Sequence, residues 1–388
     1  MTATGVRCSA PTAASERSRT RQLAVAAIPA GLYLAVRAVG TLLLWGMSAV
    51  QGKGLSLRPW DAEWYLRIAA LGYAGAGKGM VDAHGQEAPD GAMAFFPGYP
   101  LLVRAIAPLF GGNYLAAGIA VSTLAGVIGA YGIARLTRRL GGGRRAEIIA
   151  VVLVGSAPMS IVYSMAYPEA LLVALSAWAL VAVLERWWWV AAGCTAAAGF
   201  TSPMAAPLIL AVMIAGFGHL FRRTDRRAGA SVALIVAPLG MLGYLLWVHE
   251  VSAVPGGYFE ISQRGWGNSI DFGATTFRWV VDAFTTARDA FVVLTAAAIV
   301  AAVVATVVVR MPWPVWLYTA ATVAAIVVHS GLVQDRVRLL LSAFPLLILA
   351  AIRLGRVRTR TAVLVAGGVA LAGLWFGAYS VAVWPYAI

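Results

Sequence analysis

Between short polar links this chain runs through one apolar stretch after another, many near the roughly 20 residues that cross a bilayer as a helix. The run "AFVVLTAAAIVAAVVATVVV", 290–309, has neither a charge nor a proline. In hydrocarbon every backbone N–H and C=O must find a partner within the protein, so the spanning structures are helices and closed β-barrels. A barrel shows short alternating strands, whereas these windows are long and unbroken. Composition agrees, with 61% hydrophobic and only 12% charged residues, about half the charge of a soluble domain. The chain reads as all-α and polytopic.

The net charge of +14 would point to nucleic acid on a soluble protein. Here the arginines fall in short links between spans, as cytoplasmic loops do under the positive-inside rule. The expected partner is therefore the bilayer and not nucleic acid. Cys8 and Cys194 have no metal or redox spacing. Residues 1–22 read as an unstructured basic cytoplasmic tail. The apolar run that follows is too long for the roughly 7–15 residues of a signal-peptide core and reads as an uncleaved first span, 23–49.

With that span running in to out, the others follow near 114–136, 146–164, 168–185 and 187–221 (a hairpin of two), then one to His249, one to Arg310, one to His329, one after "VQDRVR" and one closing the chain. This gives about eleven transmembrane helices in a single membrane domain, 23–388. Its outer loops are 51–112 and 250–286, and "FFPGYPLLVRAIAPLF", 95–110, is short and proline-broken, as a re-entrant or interfacial helix is. This topology puts Arg135, Arg138, Arg139, Arg144, Arg145, Arg186, Arg222, Arg223, Arg226, Arg227, Arg310 and Arg353 inside. Most acids fall outside, and since acids barely influence insertion, their sidedness points to a functional outer face.

The outer stretch "RPWDAEWYLRIAALGY", 58–73, holds two acids, two bases, two tryptophans and two tyrosines. Pro59 and Asp61 suit a helix start. On a helix Trp60, Trp64, Ile68 and Leu71 form one apolar stripe, Asp61 and Tyr65 lie one turn apart, and Glu63 and Arg67 have ion-pair spacing. Trp and Tyr favour the membrane interface, so this is an amphipathic helix at the outer surface. Asp61 serves there either as a helix N-cap or as a catalytic carboxylate. Glu169 stands at the outer end of a span in "YSMAYPEALLVALSAWAL", 163–180, where the helix dipole alone favours an acid. "QRGWGNS", 263–269, offers Trp266 and Asn268 for sugar stacking and hydrogen bonding, or is only a loop. Arg336 and Arg338, in "HSGLVQDRVRLLLSAFPLLILAA", lie at an outer helix end against the positive-inside trend. They bind an anionic group such as a lipid phosphate, or pair with Asp335 or another loop acid. His329 lies a few residues before them. No Walker A, GxSxG or HExxH motif is present. No cofactor is implied; the outer acids offer oxygens to a divalent metal, but no ligand spacing requires one.

The order of "WDAEWYLRIAALGY", "FFPGYPLLVR", "YPEALLVALSAWAL", a Trp–Gly loop and "RLLLSAFPLLILAA" resembles the PIG-V-like bacterial mannosyltransferases, relatives of the GPI mannosyltransferases within the GT-C glycosyltransferases. The likeness covers roughly 30–355. It departs at "FTSPMA", where Ser202 stands where the family often has Arg before proline. The resemblance implies a GT-C-like fold, a polyprenyl-phosphate-mannose donor, a glycolipid, lipoglycan or protein acceptor, and catalysis on the outer face of a bacterial plasma membrane. It implies an essential acid in the first outer loop, which Asp61 matches, with Glu63 and Glu169 in reserve.

A lipid phosphate is a good leaving group that needs cationic or hydrogen-bond stabilisation more than an acid, while the acceptor hydroxyl needs a base. Arg338 first, Arg336 second and His329 are the expected phosphate contacts. Trp266, Asn268, Tyr65 and Trp64 are the expected sugar or acceptor contacts. A lipid-linked-sugar transporter or flippase, which would use polar groups at the bilayer midplane, is the main rival; Arg37 is the clearest mid-span charge. A non-catalytic scaffold and the same enzyme class with another sugar are the others. A periplasm-active reporter fused after residue 80 is expected to be active, and a silent one overturns the topology.

Overall fold

The computed structural model describes residues 13–221, 227–286 and 289–384. The expected basic tail lies partly outside these residues, as do Cys8, Arg222, Arg223, Asp225 and Arg226. The helices are α1 (Ala13–Val50), α2 (Asp61–Leu71), α3 (Tyr73–Ala76), α4 (Gly98–Ile106), α5 (Tyr114–Arg139), α6 (Arg144–Gly155), α7 (Glu169–Glu185), α8 (Trp188–Gly199) and α9 (Ala206–Leu220). They continue with α10 (Arg227–Val236), α11 (Leu239–Val251), α12 (Gly257–Trp266), α13 (Ala274–Thr285), α14 (Ala290–Val308), α15 (Trp313–Val328), α16 (Arg336–Leu339), α17 (Pro345–Leu354) and α18 (Thr359–Ala382). Among the described residues the only β pairings are two isolated bridges, Val81 with Glu87 and Ile270 with His329. The all-α, multi-pass membrane architecture read from the sequence is the one found.

Among the described residues six helical segments are long and apolar enough to cross a membrane, or seven if the pair Arg336–Ala343 and Pro345–Leu354, bent by 63°, counts as one. The remaining expected spans are shorter: α6 and α8 have 12 residues each, α15 has 16 and α7 has 17. The expectation of eleven therefore does not translate into eleven helices of spanning length, because several apolar runs are cut inside the bundle. The short apolar helix expected over 95–110 is present at Gly98–Phe110. The expected outer segment 250–286 contains α12 and α13.

The cut in the expected span 146–164 shows how a break is tolerated among apolar side chains. Helix α6 stops at Gly155, Met159 takes a left-handed backbone (φ 64°), and a 3-10 turn follows over Ser160–Ser164. The break frees carbonyls that water would otherwise bind. Arg37, buried in α1, donates to the carbonyls of Gly155 and Ser160 and, at 3.0 Å, to Ser160 Oγ. Its guanidinium lies over the Tyr163 ring, 5.7 Å from the centroid. The mid-span charge is thus the cap of a broken helix.

Small residues let the long helices approach, as lipid-embedded interfaces require. Gly118, Ser122, Gly126 and Gly129 of α5 are buried against α1, α7 and the segment before α7. Asn113 caps α5 by accepting from Ala116 N at 3.0 Å.

Two chemically different ends result. At the end of α7 that carries Glu185, Arg135 makes a bidentate bond to that carboxylate (2.8 and 2.6 Å) and Arg139 adds a third at 2.6 Å. Arg138 and Arg144 both reach Glu147 at 3.5 Å. Glu169 begins the same helix, about 25 Å away at 1.5 Å per residue.

Gly373 in α18 tests this packing, since a Cβ there would overlap the Ser156 carbonyl oxygen, at the α6 break. Gly373→Ala is expected to destabilise the protein by about 1–3 kcal/mol. Gly367→Ala on the same helix meets nothing within 4 Å and is expected to gain up to about 1 kcal/mol from helix propensity. Thermal unfolding in detergent compares the two, and equal midpoints would refute the close-approach account.

Candidate active site

Helix α2 begins where the sequence signals place it, but Asp61 is its first residue rather than its cap. The cap position belongs to Trp60, which has φ 54° and ψ −123°. A non-glycine residue there costs on the order of 1–3 kcal/mol and persists only where surroundings enforce it. Tyr167 is one such enforcer. Its buried hydroxyl accepts from Asp61 N and donates to the Pro59 carbonyl, both at 3.1 Å. Ala166 N also donates to Leu57 O at 3.3 Å. Behind Tyr167, Ser122 Oγ donates to its carbonyl at 3.0 Å, and Tyr99 OH donates to Gly118 O at 2.8 Å while lying 2.9 Å from Ser122 Oγ. The approach to α2 is thereby tied to α4, α5 and the start of α7.

From this backbone the Asp61 carboxylate reaches Arg338 of α16, with Oδ2 2.6 Å from Nη1. The same guanidinium faces Glu169 (Nε to Oε1, 3.6 Å) and Asp335 (Nη2 to Oδ2, 3.6 Å). Its carbon stands 5.4 Å from the centre of the Tyr167 ring. The Arg338 side chain is 9% exposed and that of Asp61 22%, so the cation is enclosed and Asp61 keeps an open edge. Glu169 Oε2, Asp335 Oδ1 and Arg338 Nε are buried and have no hydrogen-bond partner among the described residues.

Three carboxylates around one guanidinium carry excess negative charge when all are ionised. Burial pushes the Asp335 carboxyl up to about 7; Arg338 draws it back down, while Asp61 and Glu169 raise it further. Protonation of the cluster is thereby favoured over that of free carboxylates. Among the described residues no three His, Cys, Asp or Glu side chains are placed to hold a metal ion.

Of the residues singled out from sequence, the structure brings together Asp61, Glu169 and Arg338. Tyr65, one turn beyond Asp61, stacks edge-on against Phe95 (5.2 Å) and Tyr99 (5.7 Å) and lies 6.3 Å from the Tyr167 ring. Trp64 is buried, stacked on Phe95 at 5.4 Å and edge-on to Trp266 at 5.9 Å. Those two tryptophans join α2 to α12. Asn268 donates to Ser262 Oγ at 2.8 Å, holding the turn after α12. Arg336 is fully buried and, among the described residues, has no ion pair within 4 Å; it donates to Thr276 Oγ1 and to the His329 carbonyl. It ties α13 to the end of α15, and burial together with its charge holds the His329 imidazole below its ordinary range.

Glu63 makes no ion pair with Arg67, which instead donates to the carbonyls of Ala76 (2.9 Å) and Lys78 (2.7 Å) and fixes the chain after α3. Sequence reasoning gave Asp335 only the part of a neutralising partner and passed over Tyr167. The spacing of Asp335 to Arg338 (i,i+3) and of Tyr167 to Glu169 was the available signal. Ser202, where the resembled family often has Arg, accepts from Met204 N at 3.2 Å and caps the turn before α9.

No protein-family model matches the chain, and no curated protein matches it in sequence. Solved structures do. ArnT from Cupriavidus metallidurans bound to undecaprenyl phosphate superposes with a TM-score of 0.53 over 88% of this chain and 62% of its own, at 17% identity. The arabinofuranosyltransferase AftD from Mycobacteria gives 0.53 over 90% of this chain and 26% of its own, at 19% identity. The chain thus spans less than two thirds of either neighbour. What it shares with both is the fold, an arrangement of membrane helices.

Proposed function

We propose that the protein is a membrane glycosyltransferase that moves mannose from a polyprenyl-phosphate donor to an acceptor hydroxyl, on the outer face of a bacterial plasma membrane. The observation that carries the reading is the convergence of Asp61, Glu169 and Asp335 on Arg338, in a fold shared with a protein solved with undecaprenyl phosphate. The mannose comes from the family resemblance, and the acceptor is a glycolipid, lipoglycan or protein hydroxyl.

Asp61 is the general base. It takes the acceptor O–H proton as the acceptor oxygen bonds to the anomeric carbon. The carbon–oxygen bond to phosphate breaks on the opposite side, and polyprenyl phosphate leaves with the electron pair. One displacement inverts the anomeric centre. Arg338 orients Asp61 through the 2.6 Å pair. The three carboxylates on it weigh against Arg338 as a full phosphate clamp, since they neutralise its charge unless the cluster is protonated. A transporter would need an uncommitted charge in mid-membrane, and Arg37 is engaged in capping the α6 break.

Purified protein given polyprenyl-phosphate-linked radiolabelled mannose is expected to label a product, and Asp61→Asn is expected to lower kcat by about a hundredfold or more. Near-normal turnover of a well-expressed Asp61→Asn variant would remove the base assignment. Labelling from another polyprenyl-linked sugar but not from mannose would correct the donor.

Arg338→Lys is expected to recover only part of the loss in kcat, about as large as that of Asp61→Asn, that Arg338→Ala causes, because a compact ammonium cannot reproduce the planar fork that faces three carboxylates. An effect confined to the donor KM would make Arg338 a phosphate ligand only.

The pH dependence has a definite sign. The Asp335 carboxyl, raised to about 7, contributes stability that is present below the ordinary carboxylate range and is lost as pH rises through about 7. Above that point the cluster carries one more negative charge and repels the donor phosphate. The kcat/KM for donor is expected to fall across neutrality, and Asp335→Asn is expected to flatten that limb. A profile unchanged by Asp335→Asn would place the ionisation elsewhere.

A further inference from the structure

We propose that the arginine-rich end of the bundle binds the phosphate headgroup of an anionic phospholipid, in a cavity of about 510 Å³ between α1, α5 and α6. The site stands at the far end of the molecule from Asp61, and it does not depend on the transferase reading.

The polar side of the cavity is made by Arg138, Arg144 and Glu147. Glu147 is buried and shared by both guanidiniums, each at 3.5 Å. That is well beyond the roughly 2.7–2.9 Å of a formed charge-assisted bond. The Arg138 side chain is 59% exposed and makes no hydrogen bond among the described residues. Arg144 makes one further bond, to the Val25 carbonyl at 2.8 Å. Two guanidiniums over one carboxylate leave a positive charge in excess, with donor N–H groups still available. This is the arrangement that planar, bidentate recognition of a phosphate uses.

The opposite side is apolar. Val25, Ala26 and Pro29 of α1 line it, at the start of the candidate span Val25–Val50. Val25 is 45% exposed. A free phosphate has no use for such a wall. A phospholipid does, since its phosphate would meet the arginines while its acyl chain follows α1 into the bilayer. Basic pockets between spanning helices are the places where anionic headgroups seat.

The test uses the full-length protein in detergent, with native mass spectrometry and thermal unfolding in the presence of phosphatidylglycerol, phosphatidylcholine or inorganic phosphate. Phosphatidylglycerol is expected to bind and raise the unfolding midpoint, while phosphatidylcholine does neither. Arg138→Gln with Arg144→Gln is expected to weaken phosphatidylglycerol binding about thirtyfold. The single Arg138→Gln change, which disturbs one long pair, is expected to weaken it about fivefold and keeps the test open if the double variant fails to fold. Arg356→Gln, at an exposed arginine outside the cavity, is expected to change nothing. Equal binding of the two lipids, or unchanged affinity in the cavity variants, would overturn the site. Stabilisation by inorganic phosphate equal to that by phosphatidylglycerol would overturn the lipid as its occupant.

Discussion

The guanidinium of Arg338 is the contact on which the acid end of this molecule depends. It joins the start of α2, the start of α7 and the turn before α16, segments far apart in sequence. In an apolar bundle a single buried cation has no water to balance it, so its carboxylates must be placed with care. Removing it would leave three acids facing one another in a poorly hydrated space. The site is therefore also a structural junction, and chemistry and folding share the same atoms.

A second constraint runs through the middle of the bundle. Backbone groups freed by a broken helix must be paired inside the protein. Arg37 meets that demand at the α6 break, and Ser202 does so on a smaller scale before α9. Close glycine contacts complete the arrangement where α18 passes the Ser156 carbonyl. Such breaks let short apolar elements coexist with full spans, which is how this chain departs from a plain row of transmembrane helices.

What was legible in the sequence follows from these two constraints. Long apolar runs, with arginines gathered in the short links between them, disclosed the class of fold, because hydropathy and charge report the solvent directly. Asp61, Glu169 and Arg338 were legible as acids and a base misplaced for their surroundings. The breaks were not, since a run such as 146–164 is apolar on both sides of Gly155 and its interruption depends on Arg37, more than a hundred residues earlier. Glu63 and Arg67 have a good helical spacing, yet the carbonyl that ends α3 and one two residues beyond it compete for the guanidinium. Trp64 stacks on Phe95 and meets Trp266 edge-on, contacts between distant segments that spacing along the chain does not announce. Local spacing cannot anticipate a partner supplied by tertiary structure.

The Tyr167 hydroxyl bonds the peptide groups on either side of Trp60, the Pro59 carbonyl and the Asp61 N–H, and Tyr167 precedes Glu169 by two residues. A tilt of α7 in the bilayer would therefore carry Asp61 with it. The quantity held constant is the gap between two carboxylates, not the depth of either in the membrane. Thinner or thicker lipid could shift the pair relative to the headgroups while leaving its internal gauge intact.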